Sequence, residues 1–316
     1  MGRFTDFVPK GVIPATLLAL NEDYSIDERS TRKHLADCAL VDGVTAATVN
    51  GHASEIHACT FEQQRRILDI SLEEVGDAVP LVNGVYADGS QEAQRVAKMA
   101  HDAGASALLV FPPQSLGMGG VTRPECVIQH FKMIADVTDL PIIAFRYPVA
   151  SNLAYSFDIL LALFEAVPTI RAIKDWSNDA KLHEAHIRTF QSLPRPVNVL
   201  TTHSAWLMSS LVMGAAGLLS GAGSVIAPEQ AALFRAVQNN DLAEAKRIND
   251  RLYPLQQAFY ADPFVDMHNR MKECNVMLGR LPKAVMRPPL MKLCDAELAR
   301  LRAALGEAGL LVRAAA

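Results

Sequence analysis

The sequence predicts an α/β fold, a (β/α)8 TIM barrel with a C-terminal helical extension. Three observations lead there. Short apolar runs alternate with helix-period stretches through most of the 316 residues. The runs are rich in Val, Ile and Leu and flat in hydrophobicity, as parallel strands covered on both faces are. The strand–helix unit recurs roughly every 25–30 residues, giving eight units by about residue 240.

In chain order, strands are expected at 12–17, 45–50, 80–85, 107–111, 142–146, 170–174, 197–201 and 217–220. Amphipathic stretches of ordinary helix length lie between them, among them 27–41, 62–75, 91–103, 124–138 and 179–191. Three further helical patterns, 241–261, 264–278 and 295–304, follow the eighth unit with no low-complexity linker. The expected organisation is therefore a barrel over 1–240 and an extension over 241–316 packed on it as one structural unit. A doubly wound sheet is the architectural alternative, but its glycine-rich turn after the first strand is missing from Leu17-Leu18-Ala19-Leu20-Asn21.

Composition narrows the partners. Half of the residues are hydrophobic, enough for a large core, and a net charge of −4 leaves no electrostatic footprint for nucleic acid or an anionic membrane. Five widely spaced cysteines without a CxxC argue against a disulfide framework or a thiolate zinc site. The opening segment has no apolar core of a signal peptide. Residues 204–228 carry no formal charge, but Gly214, Gly217, Gly221 and Gly223 and a closing Pro228 read better as a helix followed by a buried strand than as a membrane span. A cytoplasmic protein is expected.

Barrel active sites lie at the C-terminal ends of the strands. Those ends carry one amine (Lys174), two tyrosines (Tyr86, Tyr147) and two histidines (His52, His203), with few carboxylates. Such a set disfavours glycoside hydrolysis and magnesium-assisted enolisation and favours carbonyl chemistry through the amine. Lys174 closes Ile170-Arg171-Ala172-Ile173-Lys174-Asp175, and its same-face neighbours Ile170 and Ala172 point into protein interior. An ammonium there is costly unless it is paired or deprotonated, and a deprotonated lysine attacks carbonyls to form Schiff bases. The plainer reading is a strand-end lysine that reaches solvent or pairs with Asp175.

Four pieces stand in order along the chain: Gly51-His52-Ala53-Ser54-Glu55, Ala172-Ile173-Lys174-Asp175, Gly214-Ala215-Ala216-Gly217-Leu218-Leu219-Ser220, and Leu278-Gly279-Arg280-Leu281-Pro282. With them the sequence resembles the dihydrodipicolinate synthase and N-acetylneuraminate lyase family of class I aldolases, over nearly its whole length. The resemblance implies an imine between Lys174 and pyruvate or a related 2-oxo acid, with no cofactor beyond that covalent imine and no metal. It implies a turn of Gly51, His52, Ala53 and Ser54 whose backbone N–H groups hold the substrate carboxylate. Phe145, His203, Leu219 and Ser220 are further expected substrate contacts, and a homo-oligomer, often a tetramer, is the expected assembly.

The chain also departs from that pattern. Where the family has a relay tyrosine, three residues before Pro148, this sequence has Phe145, which cannot carry a proton. Tyr147 lies two residues on, on the same strand face, and is one candidate for the lost hydroxyl; His52 is the other. The family's threonine pair is replaced by His52 and Ala53, and Ala150 stands where synthases carry an arginine for the second substrate's carboxylate. Arg146 is expected to face the opposite side of its strand. The expectation is a Schiff-base lyase or synthase of aldolase type, with the lysine-biosynthetic reaction itself disfavoured. A dehydratase of a 2-oxo-3-deoxy sugar acid and a non-catalytic oxo-acid-binding paralogue are the alternatives.

Other signals read as structural. His183 and His186 are expected on an exposed helix face. His52, Glu55, His57 and His203 form the one metal-dependent alternative, which would make the protein a metal-dependent aldolase. Gly221-Ala222-Gly223-Ser224 either binds phosphate or serves the tight turn after the eighth strand.

Overall fold

A computed structural model describes residues 4–311; the outermost parts of the expected barrel and extension, 1–3 and 312–316, lie outside the described residues. The eight apolar runs form β1 (Gly11–Pro14), β2 (Ala47–Val49), β3 (Leu81–Val85), β4 (Ala107–Val110), β5 (Ile142–Arg146), β6 (Ile170–Asp175), β7 (Asn198–Thr201) and β8 (Gly217–Ser220). They pair in parallel in the order β1-β8-β7-β6-β5-β4-β3-β2. The sheet closes on itself through bridges between Val12 and Val44 and between Ala15 and Thr48, with hydrogen bonds Thr45 N to Val12 O (2.9 Å) and Thr16 N to Thr48 O (3.0 Å). Closure removes the unpaired edges that an open sheet would leave.

The intervening helices are α1 (Glu28–Ala39), α2 (Phe61–Val75), α3 (Ser90–Ala103), α4 (Pro124–Ala135), α5 (Phe157–Ala166), α6 (Ala180–Phe190), α7 (Leu207–Val212) and α8 (Gly223–Gln238). Short side chains start several of them: Asp27, Thr60, Ser156 and Asp179 each accept a first-turn N–H, and Thr60 forms a reciprocal capping box with Gln63. The uncharged stretch 204–228 divides into α7, β8 and the start of α8, and among the described residues no helix is long and apolar enough to cross a membrane.

The extension comprises α9 (Leu242–Phe259), α10 (Met267–Met277) and α11 (Asp295–Glu307). α9 packs on α8, and α11 packs on α9 and α10. A short 3-10 turn at Phe264–Asp266 leads into α10, and this region lies over the C-terminal mouth of the barrel.

Candidate active site

β6 delivers Lys174 to the mouth. Its register sets Lys174 beside Phe145 of β5 and Leu200 of β7, while Asp175 pairs with Arg146 and Thr201 and points the other way. The Lys174 side chain is 7 % exposed and opens on a cavity of about 260 Å³. Its Nζ stands 4.2 Å from the centroid of the Phe145 ring and has no hydrogen-bond or carboxylate partner among the described residues. Burial lowers its pKa to about 7. The solvent-reaching or Asp175-paired lysine is thereby excluded. A neutral amine beside a cavity is a nucleophile ready for a carbonyl.

The turn after β2 faces this amine. Asn50 (φ 52°) and Glu55 (φ 54°) adopt left-handed conformations on either side of a 3-10 turn, His52–Ser54. The Asn50 amide donates to Gln64 O and Asn83 Oδ1, each at 2.8 Å, which anchors the turn from below. Gly84 of β3 is required for this approach, since a Cβ there would meet Asn50 O at 1.8 Å. Gly51, His52 and Ala53 line the cavity, whereas the Ser54 hydroxyl turns back to donate to Thr16 O at 2.8 Å.

His52 and Tyr147, two separate candidates in the sequence, are joined. Their Nε2 and hydroxyl lie 2.6 Å apart. Burial, then the nearby Lys174 charge, holds the His52 imidazole well below its usual pKa, and burial pushes the Tyr147 phenol up. At neutral pH the Tyr147 hydroxyl therefore donates to the Nε2 of a neutral His52, whose remaining proton sits on Nδ1. Phe111, Phe145 and Tyr86 pack around the His52 ring and hold it.

Glu55 ties the turn to the extension. Lys272 of α10 reaches its Oε1 at 2.5 Å and also donates to Val285 O at 2.6 Å. The Arg287 N–H reaches Oε2 at 2.8 Å. Both side chains of the pair are 1 % exposed, so this is a buried ion pair, with Val285 O and the Arg287 N–H as further partners of its amine and its carboxylate.

Behind the sheet, the expectation for His183 and His186 is corrected: neither lies on an exposed face. Both are fully buried, and both donate from Nδ1 to Asp175 Oδ2, at 2.8 and 2.7 Å. The Ser177 N–H reaches Asp175 Oδ1 at 2.8 Å, and Ser210 lies 2.6 Å from His183 Nε2. Burial raises the Asp175 pKa, but the hydrogen bonds from His183 and His186 outweigh it and hold the carboxyl well below its usual range. Histidines one helical turn apart give the same sequence pattern whether they meet water or a hidden carboxylate. Asp175→Ala strands three buried N–H donors and should cost about 2–5 kcal/mol, read from urea unfolding. An unmoved midpoint would show that the network is dispensable.

His203 belongs to this rear network. Its Nε2 accepts the Asn178 N–H at 3.1 Å, its Nδ1 faces Thr201 Oγ1 at 3.1 Å, and its ring stacks on Trp206. Asp175, His183 and His203 bring their ligand atoms within 4.8 Å of one another. Their inward lone pairs are already hydrogen-bonded, so the cluster acts as a buttress behind β6. The alternative metal set is not assembled either, since Glu55 is bound by Lys272 and His203 by the rear network.

Of the expected substrate contacts, Gly51, His52, Ala53 and Phe145 line the cavity with Lys174. Ser54, His203, Leu219 and Ser220 are not among its lining residues. Ser220 is taken up by Ser204, Gln230 and the Ala222 N–H. In the following turn Gly221 lines the cavity, and Gly223 is needed for packing, as a Cβ there would meet Pro14 at 2.8 Å. Sequence reasoning missed the roof, which Tyr260, Phe264, His268 and Leu290 of the extension help to form. It also missed Lys272. No local motif marks either, because only tertiary packing brings the extension to the mouth.

An eight-stranded parallel barrel with an unpaired, buried amine at the end of its sixth strand defines an enzyme of the class I aldolase type. The chain belongs to the dihydrodipicolinate synthetase family, whose model matches residues 8–308. It is 27 % identical over 302 residues to a 4-hydroxy-tetrahydrodipicolinate synthase of Acidobacterium capsulatum, covering 94 % of this chain and 95 % of that one. It is also 27 % identical over 304 residues to the enzyme of that name from Neisseria meningitidis serogroup B, covering 96 % and 99 %. Among solved structures, YagE, a prophage protein of E. coli K12 from the same family in complex with pyruvate, superposes with a TM-score of 0.87 at 23 % identity, over 96 % of this chain and 99 % of that one. The dihydrodipicolinate synthase of Aquifex aeolicus gives 0.84 at 21 %, over 97 % and 100 %.

Proposed function

We propose that this protein is a Schiff-base-forming lyase or synthase that acts on pyruvate or a related 2-oxo acid through Lys174. The observation that carries this reading is the amine itself, buried, without a counter-ion, lowered to about 7 and open to a cavity. The neutral amine attacks the ketone carbon, and loss of water leaves a protonated imine that draws electrons from C3. Loss of a C3 proton, or of the group beyond C3, gives an enamine. The substrate carboxylate is held by the N–H groups of His52 and Ala53, which have no other partner among the described residues. Cofactors are not needed, since the imine supplies the electron sink. The YagE complex with pyruvate supports a 2-oxo acid as the ligand.

Borohydride tests this directly. Reduction in the presence of pyruvate should fix a three-carbon adduct on Lys174, located by peptide mass spectrometry. The rate of adduct formation should rise with pH and level off above about 7, because only the unprotonated amine attacks. A rate that keeps rising toward the range of an ordinary lysine, near ~10.4, would mean the amine is not desolvated in solution.

The His52–Tyr147 pair takes the proton-transfer role that Phe145 cannot fill. Tyr147→Phe should slow exchange of the pyruvate C3 protons with deuterium oxide by about 10²–10⁴-fold. Exchange within a factor of two of wild type would leave His52 or water as the carrier.

A further inference from the structure

The cavity extends well beyond what a three-carbon acid fills. Pyruvate has six non-hydrogen atoms, whereas about 260 Å³ is room for a second group of comparable or larger size. For scale, an apolar protein cavity of about 150 Å³ accommodates a benzene ring. The chemistry of the walls therefore selects the group that sits beyond C3 of the enamine.

Those walls are apolar. Trp176, Phe264, Val265, Met267, Met286 and Leu290 line the cavity beyond the amine. An aromatic path leads outward from Lys174: its Nζ lies over Phe145, Phe145 stacks on Trp176 (centroids 6.3 Å, planes 24° apart), and Trp176 meets Phe264 edge-on at 6.1 Å. At the outer end Phe264 is 41 % and Val265 61 % exposed, so large apolar side chains stand uncovered at the opening.

The polar groups on the walls are few and mostly occupied. Glu55 is bound by Lys272 and by the Arg287 N–H. Apart from Lys174, no lysine or arginine lines the cavity among the described residues, so a second carboxylate or a phosphate meets no counter-ion. The His52 Nε2 is taken by the Tyr147 hydroxyl and the Tyr260 hydroxyl by Ser204 and Ser220, which leaves Thr202, the His52 Nδ1–H and the imidazoles of His57 and His268 as the few free polar groups among these apolar walls.

From this we infer that the carbonyl partner is an aromatic aldehyde, seated against the apolar wall that Trp176 and the Phe264–Val265 turn form together, and not a sugar-derived or carboxylate-bearing one. The inference rests on the Schiff-base reading above and names the second substrate of that site. In the synthetic direction C3 of the Lys174 enamine bonds to the aldehyde carbon, and the aldehyde oxygen takes up one proton to become a hydroxyl. Water then hydrolyses the iminium, freeing the Lys174 amine and a 4-aryl-4-hydroxy-2-oxo acid. The water released on forming the imine balances the one consumed, and cleavage is the same sequence reversed.

The experiment gives the purified protein pyruvate with benzaldehyde, glyceraldehyde or succinic semialdehyde and follows pyruvate consumption, with borohydride trapping in parallel samples. The expected kcat/KM for benzaldehyde exceeds those for the other two by about 10²-fold or more. Val265→Asp, on an exposed position, should lower the benzaldehyde value at least tenfold. A trapped adduct with the two polar aldehydes equal to or faster than benzaldehyde, or with no benzaldehyde condensed, overturns the aromatic assignment and leaves the Schiff-base reading standing. Failure to trap any adduct removes both. An unchanged benzaldehyde value in Val265→Asp overturns the assignment of the 264–265 turn to the aldehyde.

Discussion

Lys174→Met is expected to yield a folded protein that forms no borohydride-fixed adduct with pyruvate and whose turnover falls by on the order of 10⁴-fold or more. Methionine is unbranched and apolar and only one atom shorter, so it fills most of the same space and the loss isolates the amine. The variant should also be more stable than wild type near neutral pH, and the sign of that effect follows from linkage. Lys174 has a native pKa of about 7, against ~10.4 in an unfolded chain. Between those values the unfolded state binds more protons, so wild-type stability rises with pH across that window. Below it both states are protonated, and the native state carries the full penalty of a buried ammonium. Removing the amine should therefore raise the unfolding free energy by a few kcal/mol at pH 7 and below, at roughly 1.4 kcal/mol per unit of pKa difference, with the gain fading above pH 10. Urea unfolding at several pH values and a trapping assay read both halves. Wild-type turnover in the variant would remove the nucleophile from the mechanism. Parallel pH–stability curves for the two proteins would show that the amine is not strained by burial.

Much of this arrangement is legible in the chain because it depends on local pattern. Alternation around Ile170 and Ala172 dictates that Lys174 points inward, and the same parity sends Asp175 and Arg146 to the far side. The eight-fold repeat places the amine at the mouth. What escapes sequence reasoning depends on tertiary approach. Tyr147 and His52 are 95 residues apart; each could be nominated alone, but their hydrogen bond exists only because β5 and the turn after β2 meet across the barrel. His183 and His186 have the spacing of a surface stripe and become a buried pair only because Asp175 sits beneath α6. Ser220 stands at a strand end, as a substrate-binding residue would, yet Ser204 and Gln230 claim its hydroxyl. Lys272 lies in a helix whose pattern gives no sign that both of its cations, Arg270 and Lys272, will be buried.

That last residue supports the second large expected effect. Glu55 and Lys272 are 217 residues apart and form a buried pair joining the turn after β2 to the roof. Replacing one partner leaves the other charge buried and uncompensated, so Glu55→Gln and Lys272→Met should each lower the unfolding free energy by about 3–5 kcal/mol. The double variant should recover a large part of that loss, because the cost of a broken buried pair lies mainly in the orphaned charge. The conservative Glu55→Gln change retains the left-handed residue that ends the 3-10 turn, and its amide oxygen can still accept the Arg287 N–H. Burial lowers the Lys272 pKa while Glu55 opposes that shift, so in Glu55→Gln the amine is left with the opposing influence gone and is expected to shed its proton more readily. The partial relief that follows puts this variant at the lower end of the range. Lys272→Met traps a carboxylate instead, with only the Arg287 N–H to hold it, and belongs at the upper end. Unfolding free energies for the two singles and the double close the cycle. Singles within about 0.5 kcal/mol of wild type, the range of ordinary surface substitutions, would show that the pair does not hold the roof, and the rate of pyruvate trapping in the same proteins would show whether the turn depends on it.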